Sequence, residues 1–173
     1  MKKLFIALLL GLLPAMMLAQ STAFTKFEDR TGITSVIVNK KMFQLIGEMK
    51  MDPKDKDVQQ YQSLVKKLDN LRVFTTSNAK LTGEMKATVD TYLKSNPLEE
   101  LMRVNSEGNT IKIYVKQGAT TTQLKELLMF IDGGKGDTVL MSLTGTFDLN
   151  DISVLTDKMN LPGGPALKKA SKK

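Results

Sequence analysis

The chain has 173 residues, a formal net charge of +7, no cysteine and no histidine. Without cysteine there is no disulfide, thiol nucleophile, thiolate metal site or lipid-anchored cysteine. Without histidine there is no Ser-His-Asp triad and no imidazole base or metal ligand.

Met1 to Ala19 places Lys2 and Lys3 ahead of an apolar run from Leu4 to Ala19, broken only by Gly11 and Pro14. That is the layout of a secretory signal peptide, and the run is shorter than the ~20 residues of a transmembrane helix. Residues 1–19 are therefore expected to be cleaved before Gln20, with Ser21-Thr22-Ala23 as a fallback site. No transmembrane span is expected after processing. Residues 20–165 suit one domain, whose usual size is ~100–150 residues, and 166–173 read as a frayed basic tail. Lys168, Lys169, Lys172 and Lys173 carry most of the remaining net charge, so the folded body is close to neutral. They are candidates for weak contact with an anionic membrane surface, at ~1 kcal/mol per lysine, with solubility as the plainer explanation. Nucleic acid is not an expected partner, because no basic stripe is interleaved with aromatics.

In chain order, Phe24 and Phe27 suggest a short lead-in helix ending at Gly32, and Ile33 to Val38 reads as a β-branched strand. Asn39 is placed to cap a helix in which Met42, Leu45, Ile46 and Met49 repeat at helical spacing, which predicts one inward stripe. Asp52 and Pro53 suit the start of a second helix with Val58, Tyr61, Val65 and Leu68 on its apolar face. Leu71 to Thr76 has strand composition. Asn78 caps a long helix through Leu81, Met85, Val89, Tyr92 and Leu93, which Asn96-Pro97 ends.

Four strand-like segments then follow with turn-sized gaps: Leu98 to Asn105, Thr110 to Lys116, Gln123 to Ile131 and Thr138 to Thr146. In the second, Ile111, Ile113 and Val115 alternate with Lys112, Tyr114 and Lys116, which predicts one buried and one wet face. The third fits a helix as well as a strand; the symmetric Gly-rich loop 132–137 favours a hairpin, hence a strand. A last helix has Asp148 as N-cap, Asp151 near its positive end, Phe147 stapled to Ile152, and an inner stripe of Leu149, Ile152, Leu155 and Met159. The fold class expected is α+β: a largely antiparallel sheet of about six strands with helices on one face, in the order β-α-α-β-α-β-β-β-β-α.

Four constellations invite a chemical reading. Gly133-Gly134-Lys135-Gly136 lacks the upstream Gly and the following Ser or Thr of a phosphate loop and reads as a turn. Asp52, Asp55 and Asp57 lack the Gly and Glu of a calcium loop and read as helix caps. Asp148, Asn150 and Asp151 are explained by capping in the same way. Glu99 and Glu100, adjacent in a strand, point to opposite faces and share no proton. No catalytic, cofactor-binding or metal residue is assigned, no cofactor is expected, and enzyme chemistry is disfavoured.

Three segments, Gly32-Ile33-Thr34-Ser35-Val36, Glu100-Leu101-Met102-Arg103-Val104 and Leu143-Thr144-Gly145-Thr146-Phe147-Asp148-Leu149-Asn150-Asp151-Ile152, carry a likeness to a known group. The chain resembles a family of small exported bacterial envelope proteins grouped as a domain of unknown function. The resemblance implies export in a Gram-negative bacterium, so the periplasm or cell envelope is the expected location, and the lack of cysteine excludes the usual lipid anchor there. It supports a strand at Gln123 to Ile131, hints at envelope-stress regulation, and supplies no activity, cofactor or catalytic residue. The expected function is a noncatalytic module that binds another envelope protein through a sheet edge. The alternatives are a carrier of an apolar ligand or lipid, held between sheet and Met-bearing helices, and an enzyme working through carboxylates or lysine.

Overall fold

The computed structural model describes residues 23–50, 54–106, 108–134, 136–160, 162–165 and 167. After a 3-10 turn at Thr25–Phe27 come strand β1 (Thr34–Asn39), helices α1 (Lys40–Glu48) and α2 (Lys56–Val65), β2 (Leu68–Thr76) and α3 (Ala79–Ser95). The second half is β3 (Glu99–Ser106), β4 (Asn109–Gln117), β5 (Gln123–Asp132), β6 (Thr138–Asp148), a 3-10 turn at Leu149–Asp151 and α4 (Ile152–Lys158). The element order and the α+β class are those the sequence predicts, and Gln123–Asp132 is a strand.

All six strands form one sheet in the order β1-β2-β6-β5-β4-β3, every pair antiparallel. The last strand in sequence thus lies in the middle, hydrogen-bonded to β2 on one side and β5 on the other.

Helices cover both faces of this sheet, which corrects the expectation that they share one. α1, α2 and α4 lie on the lower face, where Phe43, Leu64, Val65, Phe147, Ile152 and Leu155 pack with Leu71, Ile113, Leu127 and Met141. α3 and the N-terminal 3-10 turn close the upper face, where Phe24, Phe27, Met85, Val89 and Tyr92 meet Phe74, Leu128, Phe130 and Leu140. The cause is visible along β5 and β6: Leu127, Leu128, Met129 and Phe130 are consecutive and all buried, as are Val139, Leu140 and Met141. A strand apolar at every position needs a layer on each side, whereas strict alternation needs one. Tyr114, expected to be wet, is buried in the upper cluster for the same reason.

Local signals explain most helix starts. Oδ1 of Asn39 accepts from the Met42 amide at 3.0 Å, and Oδ1 of Asn78 accepts from the amides of Lys80 and Leu81 at 3.0 and 3.2 Å. These bonds satisfy donors that the helix itself leaves open. The cap of α2 is Asp55, whose Oδ1 accepts from Asp57 and Val58 at 2.9 and 3.3 Å, rather than Asp52. Asp52 and Pro53 lie outside the described residues.

Gly145 marks a junction in β6. The β2 and β6 register slips between Leu68 and Asn70, and the β5 and β6 register slips between Leu124 and Glu126. There the Thr146 amide donates to the Lys67 carbonyl at 2.9 Å, and a Cβ on Gly145 would stand 2.5 Å from that same oxygen. Only glycine permits so close an approach.

Beyond Pro165, one described residue packs on the lower cluster. Leu167 is fully buried against the lower cluster, and its amide donates to the Gly163 carbonyl at 3.1 Å. Leu167, within the expected tail, thus packs on the domain.

Candidate functional site

Six large apolar side chains stand exposed among the described residues, and five of them, Val36, Ile37, Met42, Leu45 and Met49, fall within residues 36–49. Each is between 43% and 58% accessible. Val36 and Ile37 belong to β1, and the other three to α1 and the residue that ends it.

Met42, Leu45 and Met49 are exposed because α1 turns a different side inward from the one its periodicity predicts, while Val36 and Ile37, adjacent at the sheet edge, point to opposite faces. The stripe of Met42, Leu45, Ile46 and Met49 was expected to face the core, yet only Ile46 is partly covered. The buried residues of α1 are Phe43 and Gly47. Phe43 fills the core with a ring, and Gly47, one turn on, lets the helix backbone close on α2: a Cβ there would meet Cγ of Lys66 at 2.7 Å and Cγ2 of Val65 at 3.4 Å. A large side chain followed by a small one four residues later gives a tight contact that three flexible Met and Leu side chains cannot match.

The two sheet edges differ in kind. β3 carries Glu99, Glu100 and Arg103, and its register with β4 slips between Glu100 and Met102. Charges and a bulge are the ordinary means of blunting an edge. β1, with the sequence Thr-Ser-Val-Ile-Val-Asn, has no charge, no proline and an unbroken register with β2, and no described strand pairs with its outer side.

A polar pair is sealed inside the upper cluster. The Tyr92 hydroxyl donates to Oε1 of Glu126 at 2.6 Å, while Oε2 of Glu126 has no hydrogen-bond partner. Burial pushes the Glu126 carboxyl above the usual carboxylate range, against the opposing pulls of the Tyr92 hydrogen bond and the Lys116 ammonium. Burial likewise raises the Tyr92 phenol, and the hydrogen bond and charge of Glu126 raise it further. The sequence offers a signal for this site that its reading passed over: an acidic residue inside the apolar run from Leu124 to Ile131.

Between α3 and the β3-β4 hairpin runs a groove of about 230 Å³ with Lys86, Asp90, Arg103, Lys112, Tyr114 and Asp132 on its walls. Three of its charges have ionic partners. Arg103 holds Glu100 by two hydrogen bonds, of 2.9 and 2.5 Å, and this contact keeps the Glu100 carboxyl below its ordinary value. Lys86 lies 3.9 Å from Asp132.

The constellations weighed in the sequence are placed as follows. Oδ1 of Asp148 accepts from both the amide and the side-chain nitrogen of Asn150 at 2.9 Å, and Asp151 takes a 2.7 Å hydrogen bond from Gln60, which ties the 3-10 turn before α4 to α2. Phe147 and Ile152 are buried together as the staple requires. Gly133 and Gly136 close a turn through a 2.7 Å amide-to-carbonyl bond. Among the described residues, no group of three or more acidic side chains is placed to hold a metal ion, and no helix is long and apolar enough to cross a membrane. Lys168, Lys169, Lys172 and Lys173 lie outside the described residues.

A family model described as a domain of unknown function, DUF4252, matches residues 27–155. No curated protein and no solved structure matches the chain.

Proposed function

Since the chain belongs to the DUF4252 family of domains of unknown function, we propose that it is a noncatalytic protein-binding module acting in the periplasm or envelope of a Gram-negative bacterium. The mature module starts at residue 20, after loss of the leader. The observation that carries the binding role is the concentration of exposed apolar side chains on β1 and α1. A strand edge without charge, proline or bulge is an open template for another chain, and an adjoining apolar helix face adds side-chain contacts to such strand addition. The partner is another envelope protein, and a role in envelope-stress regulation would fit such a module.

The arrangement favours this over carriage of an apolar ligand. The space such a ligand would use under α3 is filled by Met85, Phe74, Leu128 and Leu140, all fully buried.

The test is site-directed photocrosslinking in intact cells, with the reactive residue at Leu45 and, as a control, at Asp90 on the opposite face. Specific protein adducts from position 45 that are absent from position 90 support the proposal. Equal or absent adducts at the two positions overturn it. The intact mass of the same purified protein reports processing: a chain that still begins at Met1 in the cytosol would remove the envelope setting.

A further inference from the structure

We propose that the groove where the start of α1, the start of β2 and the β4-β5 loop meet is a binding site for a phosphoryl-bearing anion. The site stands apart from the docking surface, because none of its residues is among the exposed apolar side chains of β1 and α1, so either can fail without the other.

The groove has a volume of about 540 Å³, and Lys40, Lys66, Lys67, Thr120 and Thr146 stand on its walls together with Asp69 and Asp148. Both carboxylates are already engaged: Asp69 takes the Lys40 ammonium at 2.8 Å, and Oδ1 of Asp148 accepts from the amide and side chain of Asn150. Lys66 and Lys67 have no ionic partner among the described residues. A further ammonium, that of Lys125, reaches the same wall by donating to Oγ1 of Thr146 at 2.6 Å.

The hydroxyls are donors too. Oγ1 of Thr146 accepts from Lys125, and Oγ1 of Thr120 accepts from the Gln123 amide at 3.2 Å, so each keeps its own proton to give. The N-terminal end of α1 adds partial positive charge. Acidic side chains are the favourable ones at such an end, yet its first turn has none and begins with Lys40 and Lys41.

A wall rich in ammonium and hydroxyl donors, with its carboxylates engaged, is complementary to a ligand bearing negative charge and several acceptor oxygens. A phosphoryl group carries three such oxygens around one atom, whereas a carboxylate carries two in a plane. Lysine holds such a group as a point charge and needs no fixed fork. The groove is larger than a bare phosphate, so there is room for the organic body to which the phosphoryl group is attached.

The experiment is a titration of the purified protein with inorganic pyrophosphate, followed by amide NMR shifts, with ionic strength held constant by sodium chloride. Saturable shifts are expected at residues 40–41, 66–69, 118–123 and 146–148, with a dissociation constant of ~1 mM or tighter. Lys66→Gln combined with Lys67→Gln should weaken binding by on the order of tenfold, the scale of two lost exposed ion pairs. Lys80→Gln combined with Lys94→Gln, at two exposed lysines of α3, should leave it unchanged. Shifts that do not saturate, that spread evenly over the exposed lysines, or that keep their affinity in the groove variant overturn the site.

Sedimentation with vesicles of phosphatidylcholine and phosphatidic acid identifies the source of the phosphoryl group, in a chain whose Lys168, Lys169, Lys172 and Lys173 are exchanged for serine so that the tail does not contribute. Given pyrophosphate binding, vesicle binding that the groove variant abolishes makes the ligand a lipid headgroup. Vesicle binding that is absent, or that survives the groove variant, makes it a soluble phosphorylated compound.

Discussion

The Tyr92 phenol on α3 donates a 2.6 Å hydrogen bond to Glu126 on β5, in a place where Tyr92 is 4% and Glu126 1% exposed. A carboxyl so enclosed holds its proton more tightly than it would in the unfolded chain. Below the ordinary glutamate range both states are protonated and the site favours folding fully. As pH rises above that range, the unfolded chain releases the proton while the folded one keeps it, and stability falls until the folded carboxyl also ionises. Denaturant titrations from acid to mildly alkaline pH should show this decline in the parent and its loss in Glu126→Gln. Parallel curves for the two proteins would show that Glu126 is not held protonated.

Removing the other partner gives a separate expectation. Tyr92→Phe keeps the ring and leaves the carboxyl with neither oxygen bonded, so it should cost ~1–3 kcal/mol, the usual penalty for a buried polar group deprived of its partner. Urea unfolding near neutral pH measures it. A loss below a few tenths would mean that the bond contributes little.

The reversed face of α1 separates two substitutions of similar chemistry. Phe43→Ala should cost ~3–5 kcal/mol, as deletion of a fully buried ring does, whereas Leu45→Ser should stay within about 0.5 kcal/mol. The urea midpoints of the two variants test this directly. A large loss at position 45 would place Leu45 in the core after all.

Gly145→Ala should destabilise by roughly 2 kcal/mol or more, because its methyl meets the Lys67 carbonyl at a fixed crossing of backbones. Thermal unfolding reads the loss, and a variant as stable as the parent would show that the junction can spread.

Truncation after Pro165 should lower stability by ~2 kcal/mol or more through loss of the buried Leu167. Exchanging Lys168, Lys169, Lys172 and Lys173 for serine should not. If those lysines touch anionic lipid, the same serine variant will also bind acidic vesicles less well in a sedimentation assay, since each lysine near such a surface adds ~1 kcal/mol.

The element order is legible in the sequence because each segment carries a local mark: the caps at Asn39 and Asn78, the alternation from Ile111 to Val115, and the glycine loop before β6. What escapes the sequence is set by contacts between segments. Nothing near α1 announces that Phe43 and Gly47 will outcompete Met42, Leu45 and Met49, because the close approach that decides it involves Val65, the last residue of α2, and Lys66 just after it. The second helical layer has a local signal, the consecutive apolar residues of β5 and β6, whereas helices on one face were expected from the run of strands that follows a helix-rich half. The candidate surface is legible in part: a sheet edge was expected as the docking place, while which edge depends on strand order, and strand order has no local mark.

The position of β6 has a consequence in time. Residues 138–148 join β2 to β5, so before they arrive the chain has a left-hand pair, β1 with β2, and a right-hand trio, β3 to β5, with nothing between them. Two strands alone are marginal in water, and joining the halves requires contacts between residues far apart in sequence, which form slowly. A polypeptide threaded N-terminus first through any narrow passage would therefore remain pliable for most of its length and lock only when its final strand slid home.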